Sequence, residues 1–483
     1  MGVRISLGAL LVFCVVGPLQ AQGPLFTDAF PPEEFSDRRA EVLDKIGDAV
    51  AVMQGATEFP GYIKFRQNAQ FFYLTGVEVP RAILLLDGRT GGSTLYLPAR
   101  NERAEGSEGP ILVPGDDATR LTGIDAVVDR ELVGADLERV IGEGRVLYTP
   151  FRAEALHAAT PGYSNSHATA SAEDPWDGRL SREAAFITRI REVAPSVEIM
   201  DLDPILDGMR LIKSPREIEL IRQASRISGE AMIEGIRSAA VGMYEYELEA
   251  VGDYVFKRHN SQGYGYFSLI ATGDNASYPH YHASQSRLED GDMVLWDWAP
   301  DYKYYTSDVT RMFPANGKFD ADQHEMYDIY LRLYQALMTS IVPYETPAAI
   351  RAVALAKMEA IFEDFEFANP KIRDAAVSFI DRYRRPSRSL GHMVGMEVHD
   401  VRAPYEVMQP GMVFTIEPAL RIPEDKVYIR LEDAILITET GYENLSGFVP
   451  AEIEELERLM SEEGWAERLW KRRQSTTSDD SSL

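Results

Sequence analysis

The stretch Met293 to Met312, MVLWDWAPDYKYYTSDVTRM, decides the fold of this chain because it predicts a β-hairpin that carries two aspartates. Its arms are rich in aromatic and β-branched residues, and Ala299-Pro300-Asp301 marks a turn. If the loop centres on the Tyr302-Lys303 bond, Asp297 and Asp308 face each other across the ladder. Like charges about 5 Å apart destabilise such a pair unless a cation lies between them. The alternative is a solvated hairpin whose acids point into water.

A second stretch, Val413 to Leu436, has the same pattern: VFTIEPALRIPEDKVYIRLEDAIL. Its turn is Pro423-Glu424-Asp425-Lys426, and Glu417 and Glu432 are equidistant from the centre of that turn. Each of the two predicted hairpins therefore pairs two carboxylates.

The segment 391–400, GHMVGMEVHD, supplies the histidines His392 and His399. Four carboxylates and one imidazole form a hard, oxygen-rich set. Such a set suits two divalent cations of the manganese, cobalt or zinc kind better than it suits a soft metal. Two such cations about 3.5–4 Å apart bind and activate a water between them.

The five residues Asp297, Asp308, His392, Glu417 and Glu432, in this order, resemble the ligands of the dinuclear metallopeptidases of the pita-bread fold. Their flanks are SDVTR, GHMVGMEVHD, TIEPAL and IRLEDA. Within that superfamily the pattern is similar to the Xaa-Pro aminopeptidases (aminopeptidase P), and the similarity covers nearly the whole chain after residue 25. The resemblance implies an α+β fold, with a C-terminal pita-bread catalytic domain preceded by a creatinase-like N-terminal α/β domain. It also implies that these five residues are the metal ligands.

The resemblance assigns roles to four site residues. His280 and His399 flank the metals, where an imidazole can contact the substrate carbonyl or shuttle protons. Glu417 takes the proton of the attacking water and passes it to the leaving amine. Arg430 orients ligands or substrate. The alternatives are satisfied structural histidines for His280 and His399 and a surface ion pair for Arg430.

The N-terminus predicts export. Arg4 is followed by the apolar run Ile5 to Val16 and by small residues up to Ala21, which is typical of a signal peptide over residues 1–21. The only cysteine, Cys14, lies inside this segment, so the mature chain has neither a disulfide nor a thiol nucleophile. We therefore expect a secreted or periplasmic protein.

The charge of the whole chain excludes one class of partner. A net charge of −27 over 483 residues argues against nucleic-acid binding, because no basic stripe can displace counterions. No later apolar run is long enough to cross a membrane.

The mature chain predicts two domains. Short apolar runs at 48–53, 82–87 and 94–97 are typical of buried strands in an N-terminal α/β domain that spans residues 22–207. Residues 158–177, rich in Ser, Ala, Thr, Pro and Gly, predict a surface loop.

The catalytic domain is expected over residues 208–462, followed by a helix end and a disordered polar tail over 463–483. Ser214-Pro215-Arg216-Glu217 predicts a capping box at its first helix. Further amphipathic helices are expected at 246–257, 322–338 and 452–470. Helices that alternate with hairpins indicate an α+β domain with antiparallel strands.

The predicted function is an exported dinuclear metallo-aminopeptidase. It hydrolyses the bond between an N-terminal residue and a following proline, by attack of a metal-bridged hydroxide. The expected cofactors are two divalent cations, with Mn²⁺ favoured and Co²⁺ or Zn²⁺ as alternatives. The expected partners are peptides with proline at the second position, and we expect a homo-oligomer.

Two other functions stay open. A prolidase would cleave only Xaa-Pro dipeptides, and a catalytically silent relative would bind peptides without cleaving them. The segments 65–68 (FRQN) and 71–76 (FFYLTG) resemble the aminopeptidase and favour it. Arg388 stands four residues before His392, where many relatives carry a histidine, and a guanidinium near the site could pair with the carboxylate of a dipeptide. Retention of all five predicted ligands argues against the silent relative.

Overall fold

The computed structural model of the protein describes residues 26–471. The predicted signal peptide, residues 1–21, and the predicted disordered tail, residues 474–483, lie outside the described residues. Within residues 26–471, no helix is both long enough and apolar enough to cross a lipid bilayer.

Six strands and eight helices make up the N-terminal half. The strands are β1 (Val50–Gln54), β2 (Ile83–Asp87), β3 (Gly92–Leu97), β4 (Ala126–Asp129), β5 (Leu147–Thr149) and β6 (Ile199–Asp201). The helices are α1 (Pro32–Ile46), α2 (Ala69–Thr75), α3 (Glu102–Glu108), α4 (Asp116–Thr122), α5 (Val133–Gly142), α6 (Pro161–Glu173), α7 (Arg182–Val193) and α8 (Asp203–Leu211).

The six strands form one mixed sheet in the order β4-β3-β2-β1-β5-β6. β1 pairs antiparallel with β2 and parallel with β5. Its residues alternate between two apolar clusters: Val50 and Val52 pack on one face, and Ala51 and Met53 pack on the other. Because both faces are covered, the strand is a continuous apolar run, and the three predicted strands are confirmed as β1, β2 and β3.

The prediction of a surface loop over residues 158–177 was wrong, because α6 occupies most of this segment. Thr160 caps the helix by accepting a hydrogen bond from the backbone N–H of Tyr163 at 3.3 Å, and Pro161 fits the first turn. Of the helix residues only Pro161 is buried. Since α6 has no apolar face, hydrophobic periodicity could not reveal it.

Within the described residues, the C-terminal half contains six helices, a short helical segment at 465–471 and ten short strands. The helices are α9 (Pro215–Ser238), α10 (Glu245–Arg258), α11 (Ala321–Met338), α12 (Pro347–Asp364), α13 (Pro370–Arg384) and α14 (Ile453–Met460). The strands are β7 (Gly263–Tyr264), β8 (Leu269–Thr272), β9 (Met293–Asp297), β10 (Pro300–Asp301), β11 (Thr310–Pro314), β12 (Val413–Ile416), β13 (Ala419–Ile422), β14 (Val427–Arg430), β15 (Asp433–Ile437) and β16 (Tyr442–Asn444).

The helix predictions are confirmed in this half with one exception. α9 begins with the predicted capping box, in which Ser214 and Glu217 satisfy each other's backbone N–H groups. The helices expected at 246–257 and 322–338 are α10 and α11.

The predicted terminal helix over 452–470 is interrupted. α14 ends at Met460, and residues 465–471 are helical again. Between them Gly464 lies against the backbone of Ser238, where a Cβ atom would collide, and its N–H donates to the carbonyl of Arg237. This close approach to α9 bends the chain away from a single helix.

Residues 293–314 form the first hairpin, but its register differs from the prediction. β9 and β11 pair antiparallel with Asp297 opposite Thr310 rather than opposite Asp308. Asp308 therefore lies two residues before the start of β11, where the two arms have separated.

The turn of the first hairpin explains this shift. Tyr302 pairs with Tyr305, and the two residues between them, Lys303 and Tyr304, have φ angles of 52° and 73°. The turn therefore lies after Ala299-Pro300-Asp301 rather than on it. The dipeptide Pro300–Asp301 is instead strand β10, paired with β7.

Residues 413–437 form the second hairpin, and its predicted register is confirmed. Val413 pairs with Leu436 at one end, and Ile422 pairs with Val427 next to the turn. Between the two paired segments the arms carry Glu417 and Glu432, which are related by the same register.

Helices α9 and α10 cover the outer face of the first hairpin. The rings of Trp296 and Trp298 are fully buried there, and they pack against Gly235 of α9 and Gly252 of α10. A Cβ atom at Gly235 would collide with the Trp296 ring. Absence of a side chain at these two helix positions lets the tryptophans approach and holds β9 in place.

Candidate metal centre

The two hairpins meet at one residue pair. Thr310 and Glu432 exchange both backbone hydrogen bonds, at 3.2 and 3.1 Å. The buried guanidinium of Arg311 reinforces this junction, because it donates to the carbonyls of Thr310 (2.9 Å) and Glu432 (3.0 Å) and to the carboxylate of Asp433 (2.8 Å). The carboxylates of both hairpins are thereby brought to one place.

All five residues predicted as metal ligands line a single cleft with a volume of about 440 Å³. Donor atoms of Asp308, His392 and Glu432 lie within 4.8 Å of one another. Glu417 lies 3.2 Å from His392, and Asp297 shares a hydrogen-bond partner with Asp308. The structure thus gathers the whole predicted set although the first hairpin has an unexpected register.

The shared partner is Tyr266, which the sequence did not reveal. Its buried hydroxyl lies 2.6 Å from Asp297 Oδ1 and 2.8 Å from Asp308 Oδ1. The hydroxyl has one proton to donate, so at any moment it satisfies one of the two carboxylates. Tyr266 fixes the orientation of both side chains. No spacing rule links residue 266 to this hairpin, and only the fold brings it there.

Arg430 is buried at the centre of the site, so the alternative of a surface ion pair is wrong. Its Nη2 atom contacts Asp297 Oδ2 and donates to Thr310 Oγ1 at 3.0 Å. The guanidinium also lies 3.5 Å from Glu417 and 3.7 Å from Glu432. Arg430 is therefore a fixed positive charge among three carboxylates.

The polar atoms of the site fit bound cations. Glu432 Oε1 is buried and has no hydrogen-bond partner among the described residues. His392 Nδ1 lies 3.2 Å from the carbonyl of Met393, which orients the ring so that Nε2 faces Asp308 at 3.4 Å and Glu417 at 3.2 Å. An unpaired carboxylate oxygen beside a ring nitrogen and further carboxylates is an arrangement that divalent cations satisfy.

Two buried carboxyl groups of this cluster have raised pKa values. Burial raises the pKa of Glu432 well above its ordinary value, and the carboxylates of Asp308 and Glu417 raise it further. Burial also raises the pKa of Asp297 to about 7, although the charge of Arg430 opposes the shift. Added positive charge beside Glu432 and Asp297 would favour their ionised forms.

The two predicted flanking histidines lie at different depths. The ring of His399 stacks on that of His392 with 3.8 Å between centroids. Burial and the neighbouring His392 lower the pKa of His399 to about 4, so this imidazole is neutral at pH 7. His280 is exposed at the rim of the cleft. His399 is thus part of the buried cleft wall, whereas the ring of His280 is open to solvent.

The first turn of helix α6 and the three residues before the helix form part of the cleft wall. Ala158, Ala159, Thr160 and Tyr163 line the same cleft as the predicted ligands. The ring of Tyr163 lies 6.3 Å from that of His399, between centroids. The segment that the sequence suggested to be a surface loop therefore borders the site.

The loop that carries His399 is anchored by buried charges. Arg210 contacts both Glu397 and Asp400, and Lys213 Nζ lies 3.0 Å from Asp400 Oδ2. All four side chains are buried. Since the two acids lie on either side of His399 in sequence, these contacts hold its backbone against α8.

Arg388 lies apart from the predicted ligands. Its side chain is exposed and lines neither the metal cleft nor the neighbouring depression beside His280.

Comparisons with known proteins define the class. Residues 219–439 match the model of metallopeptidase family M24, and residues 35–148 match the model of the aminopeptidase P N-terminal domain. These matches confirm the predicted fold class, in which a C-terminal metallopeptidase domain follows an aminopeptidase P type N-terminal domain.

Individual relatives identify the family. The Xaa-Pro aminopeptidase of Escherichia coli is 31% identical over 455 residues, which cover 89% of this chain and 97% of the relative. The zinc-substituted structure of E. coli aminopeptidase P in complex with product has a TM-score of 0.71 at 28% identity and covers 89% of this chain and 98% of that one. The chain therefore belongs to the Xaa-Pro aminopeptidase family of metallopeptidases.

Dipeptidases are also among the relatives. The human Xaa-Pro dipeptidase is 28% identical over 473 residues, which cover 86% of this chain and 89% of the relative. Similarity of the whole chain does not by itself separate the two substrate classes.

Proposed function

We propose that the chain is an exported aminopeptidase that uses two divalent cations to remove the N-terminal residue from peptides with proline in second place. The observation that carries this proposal is the convergence of four carboxylates and one imidazole from two hairpins and a loop in one cleft. Membership in the Xaa-Pro aminopeptidase family supports the reaction and the position of the cleaved bond.

The proposed ligands are the five predicted residues, Asp297, Asp308, His392, Glu417 and Glu432. Two divalent cations held there would supply an activated water and a Lewis acid for the peptide carbonyl. The hard oxygen donors favour Mn²⁺, with Co²⁺ and Zn²⁺ as alternatives.

The chain's own residues supply the remaining steps. Glu417 is only half-buried and faces the open cleft, so it can accept a proton from water and deliver it to the leaving amine. Neutral His399 can donate a hydrogen bond to the oxygen that gains negative charge during attack. His280, at the rim, can exchange protons with solvent. Arg430 positions Asp297 and neutralises part of the charge of the cluster.

An aminopeptidase and a prolidase differ in what they bind beyond proline. A dipeptidase must recognise the free carboxylate of proline, whereas an aminopeptidase accepts a chain that continues. Arg388 does not line the cleft, so this arginine is not placed to bind the carboxylate of a dipeptide there. The aminopeptidase is therefore the better supported of the two.

A peptide panel tests this choice. With the metal-loaded enzyme, a tripeptide Xaa-Pro-Xaa should have a higher kcat/KM than the dipeptide Xaa-Pro, because added backbone contacts contribute binding energy. Arg388→Ala should leave this order unchanged. Cleavage of dipeptides alone, together with a raised KM for them in Arg388→Ala, would replace the aminopeptidase with a prolidase.

Export and assembly are separate parts of the proposal. N-terminal sequencing of the protein recovered outside the cytoplasm should begin after Ala21. Full-length protein retained in the cytoplasm would contradict the signal peptide. The expected homo-oligomer is checked by light scattering of the purified chain.

A further inference from the structure

A second depression opens beside the metal cleft, and its walls are rich in positively charged arginines. Its volume is about 350 Å³, and it shares His280, Glu417 and Arg430 with the cleft. Three further arginines line it. They are Arg351 of α12, Arg382 of α13 and Arg421 of β13. We call this depression, with Tyr383 and Tyr428 in its wall, the arginine pocket.

The three arginines lack acidic partners. Within residues 26–471, no ion pair joins Arg351, Arg382 or Arg421 to a carboxylate, although the chain has 76 acidic residues against 49 Lys and Arg. Burial lowers the pKa of Arg382, and repulsion from the guanidinium of Arg421 adds to the shift, whereas Tyr383 opposes it. An anion placed between them would relieve this repulsion.

Each guanidinium is held in a defined orientation. Arg351 lies over the ring of Tyr383 at 4.5 Å, Arg421 lies over Tyr428 at 4.9 Å, and Arg382 lies over Phe379 at 5.2 Å. Stacking on an aromatic face leaves the N–H edges of a guanidinium available to a ligand.

Most of those N–H groups make no hydrogen bond within residues 26–471. Arg382 Nη2 donates to the carbonyl of Ala419, and Arg351 Nη2 donates to the carbonyl of Arg382 at 2.8 Å. The guanidinium of Arg421 makes no hydrogen bond within the described part of the chain. A carboxylate, which accepts paired hydrogen bonds from a guanidinium, is the ligand that fits these donors.

We propose that the arginine pocket binds a carboxylate of the substrate on the C-terminal side of the cleaved bond. This inference rests on the proposed aminopeptidase function. The free amine at the N-terminus of a substrate is a cation and must lie next to the cleaved bond, so three guanidiniums would repel it. The pocket therefore serves the other end of the peptide. The carboxylate is either the C-terminus of a short peptide or an acidic side chain after proline.

Matched peptides separate these two sources. One pair is Xaa-Pro-Ala and its C-terminal amide, and the other is Xaa-Pro-Glu-amide and Xaa-Pro-Gln-amide. For the metal-loaded wild type, the member with the extra carboxylate should have about a tenfold higher kcat/KM in at least one pair, mainly through KM, since charge-assisted hydrogen bonds to arginine stabilise the bound peptide. Preference within the first pair identifies a C-terminal carboxylate, and preference within the second identifies an acidic side chain.

Variants assign the preference to the pocket. Arg421→Met keeps the apolar stem over Tyr428 and removes the charge, so the preference ratio should fall to near one, and Arg421→Lys should restore part of it. Arg388→Ala is the matched control, because Arg388 is an exposed arginine outside the pocket, and its ratio should equal that of the wild type.

Three outcomes decide the inference. No preference in the wild type, or an undiminished preference in Arg421→Met, overturns the pocket while leaving the aminopeptidase intact. Loss of the preference in Arg388→Ala instead assigns the carboxylate to that residue and also overturns the pocket. Failure of the metal-loaded wild type to cleave any of the four peptides contradicts the proposed function itself.

Discussion

The first and second hairpins carry equivalent pairs of carboxylates but are supported in different ways. The tip of the first hairpin is buried against the N-terminal half, where Tyr304 is 2% exposed and its ring stacks on Phe72 with 3.6 Å between centroids. The tip of the second hairpin, Pro423 to Lys426, is exposed. Tertiary contacts thus fix the first turn, whereas local turn chemistry fixes the second.

This difference explains the positive φ angles of the two turns. Lys303 and Tyr304 both adopt them without glycine or asparagine, at a cost of about 1–2 kcal/mol for each residue. Contacts of Tyr304 offset that cost, because its hydroxyl binds Glu78 and accepts a hydrogen bond from the backbone N–H of Gln67 at 2.8 Å. In the second turn Lys426 alone has a positive φ, of 54°.

The largest expected effect tests what the hairpins share. Asp308→Ala in the first hairpin and Glu432→Ala in the second should each reduce peptidase activity below detection, since each removes a proposed ligand from the same centre. Activity is measured on a Xaa-Pro-Xaa peptide with saturating Mn²⁺. Asp425→Ala, which removes an exposed acid at the tip of the second hairpin, is the control and should keep wild-type activity. Full activity in either ligand variant would show that its hairpin does not contribute to the centre.

The next effect concerns what the hairpins do not share. Tyr304→Ala should destabilise the protein by about 3–5 kcal/mol, because it removes a buried aromatic ring and leaves a cavity between the two halves. Val427→Ala next to the exposed second turn should change stability by less than about 0.5 kcal/mol. The midpoints of urea unfolding measure both. Equal shifts in the two variants would contradict the different support of the two tips.

A smaller effect is expected at the hydroxyl that links the aspartates of the first hairpin. Tyr266→Phe should weaken metal affinity or activity by about 10–100-fold, because outer-shell hydrogen bonds orient metal ligands. Titration of the metal-free variant with Mn²⁺ measures the affinity. Tyr278→Phe, at an exposed tyrosine, is the control. An unchanged affinity and turnover in Tyr266→Phe would mean that the aspartates are oriented without it.

The smallest effect compares the two turns directly. Lys303→Gly and Lys426→Gly each relieve a positive φ and each lose an ion pair with an exposed acid, Asp28 and Asp274 respectively. The gain from relieved backbone strain and the loss of the ion pair nearly cancel. The free energy of unfolding of both variants should therefore stay within about 0.5 kcal/mol of wild type at low salt. At high salt the ion pairs are screened and both variants should become relatively more stable. Destabilisation that grows with salt would contradict this explanation.

The same contrast shows what the sequence could predict. The register of the second hairpin follows from its local signals, since Pro423-Glu424-Asp425-Lys426 marks the turn and Glu417 and Glu432 are equidistant from its centre. The register of the first hairpin could not be predicted, because its turn depends on Phe72 and Gln67, more than 200 residues away along the chain. Proline at position 300 gave a turn signal, but the fold uses it in the short strand β10.

The residues of the site also divide into those that the sequence predicts and those that it does not. The five predicted ligands line one cleft. They could be predicted because each stands in a recognisable sequence motif. Tyr266, Tyr163 and the arginine pocket could not be predicted, since they reach the cleft from elements with no signal of their own. Helix α6 was missed for a related reason: it is almost wholly exposed, so its sequence has no apolar periodicity.

We propose that the two hairpins together form one centre for two divalent cations. Its most direct test is the metal content of the purified mature chain, measured by mass spectrometry and followed by chelation, readdition of Mn²⁺ and peptidase assay of the same sample. We expect two cations per chain in active enzyme, loss of activity when they are removed, and recovery when two equivalents of Mn²⁺ are returned. Full turnover by metal-free enzyme would contradict it.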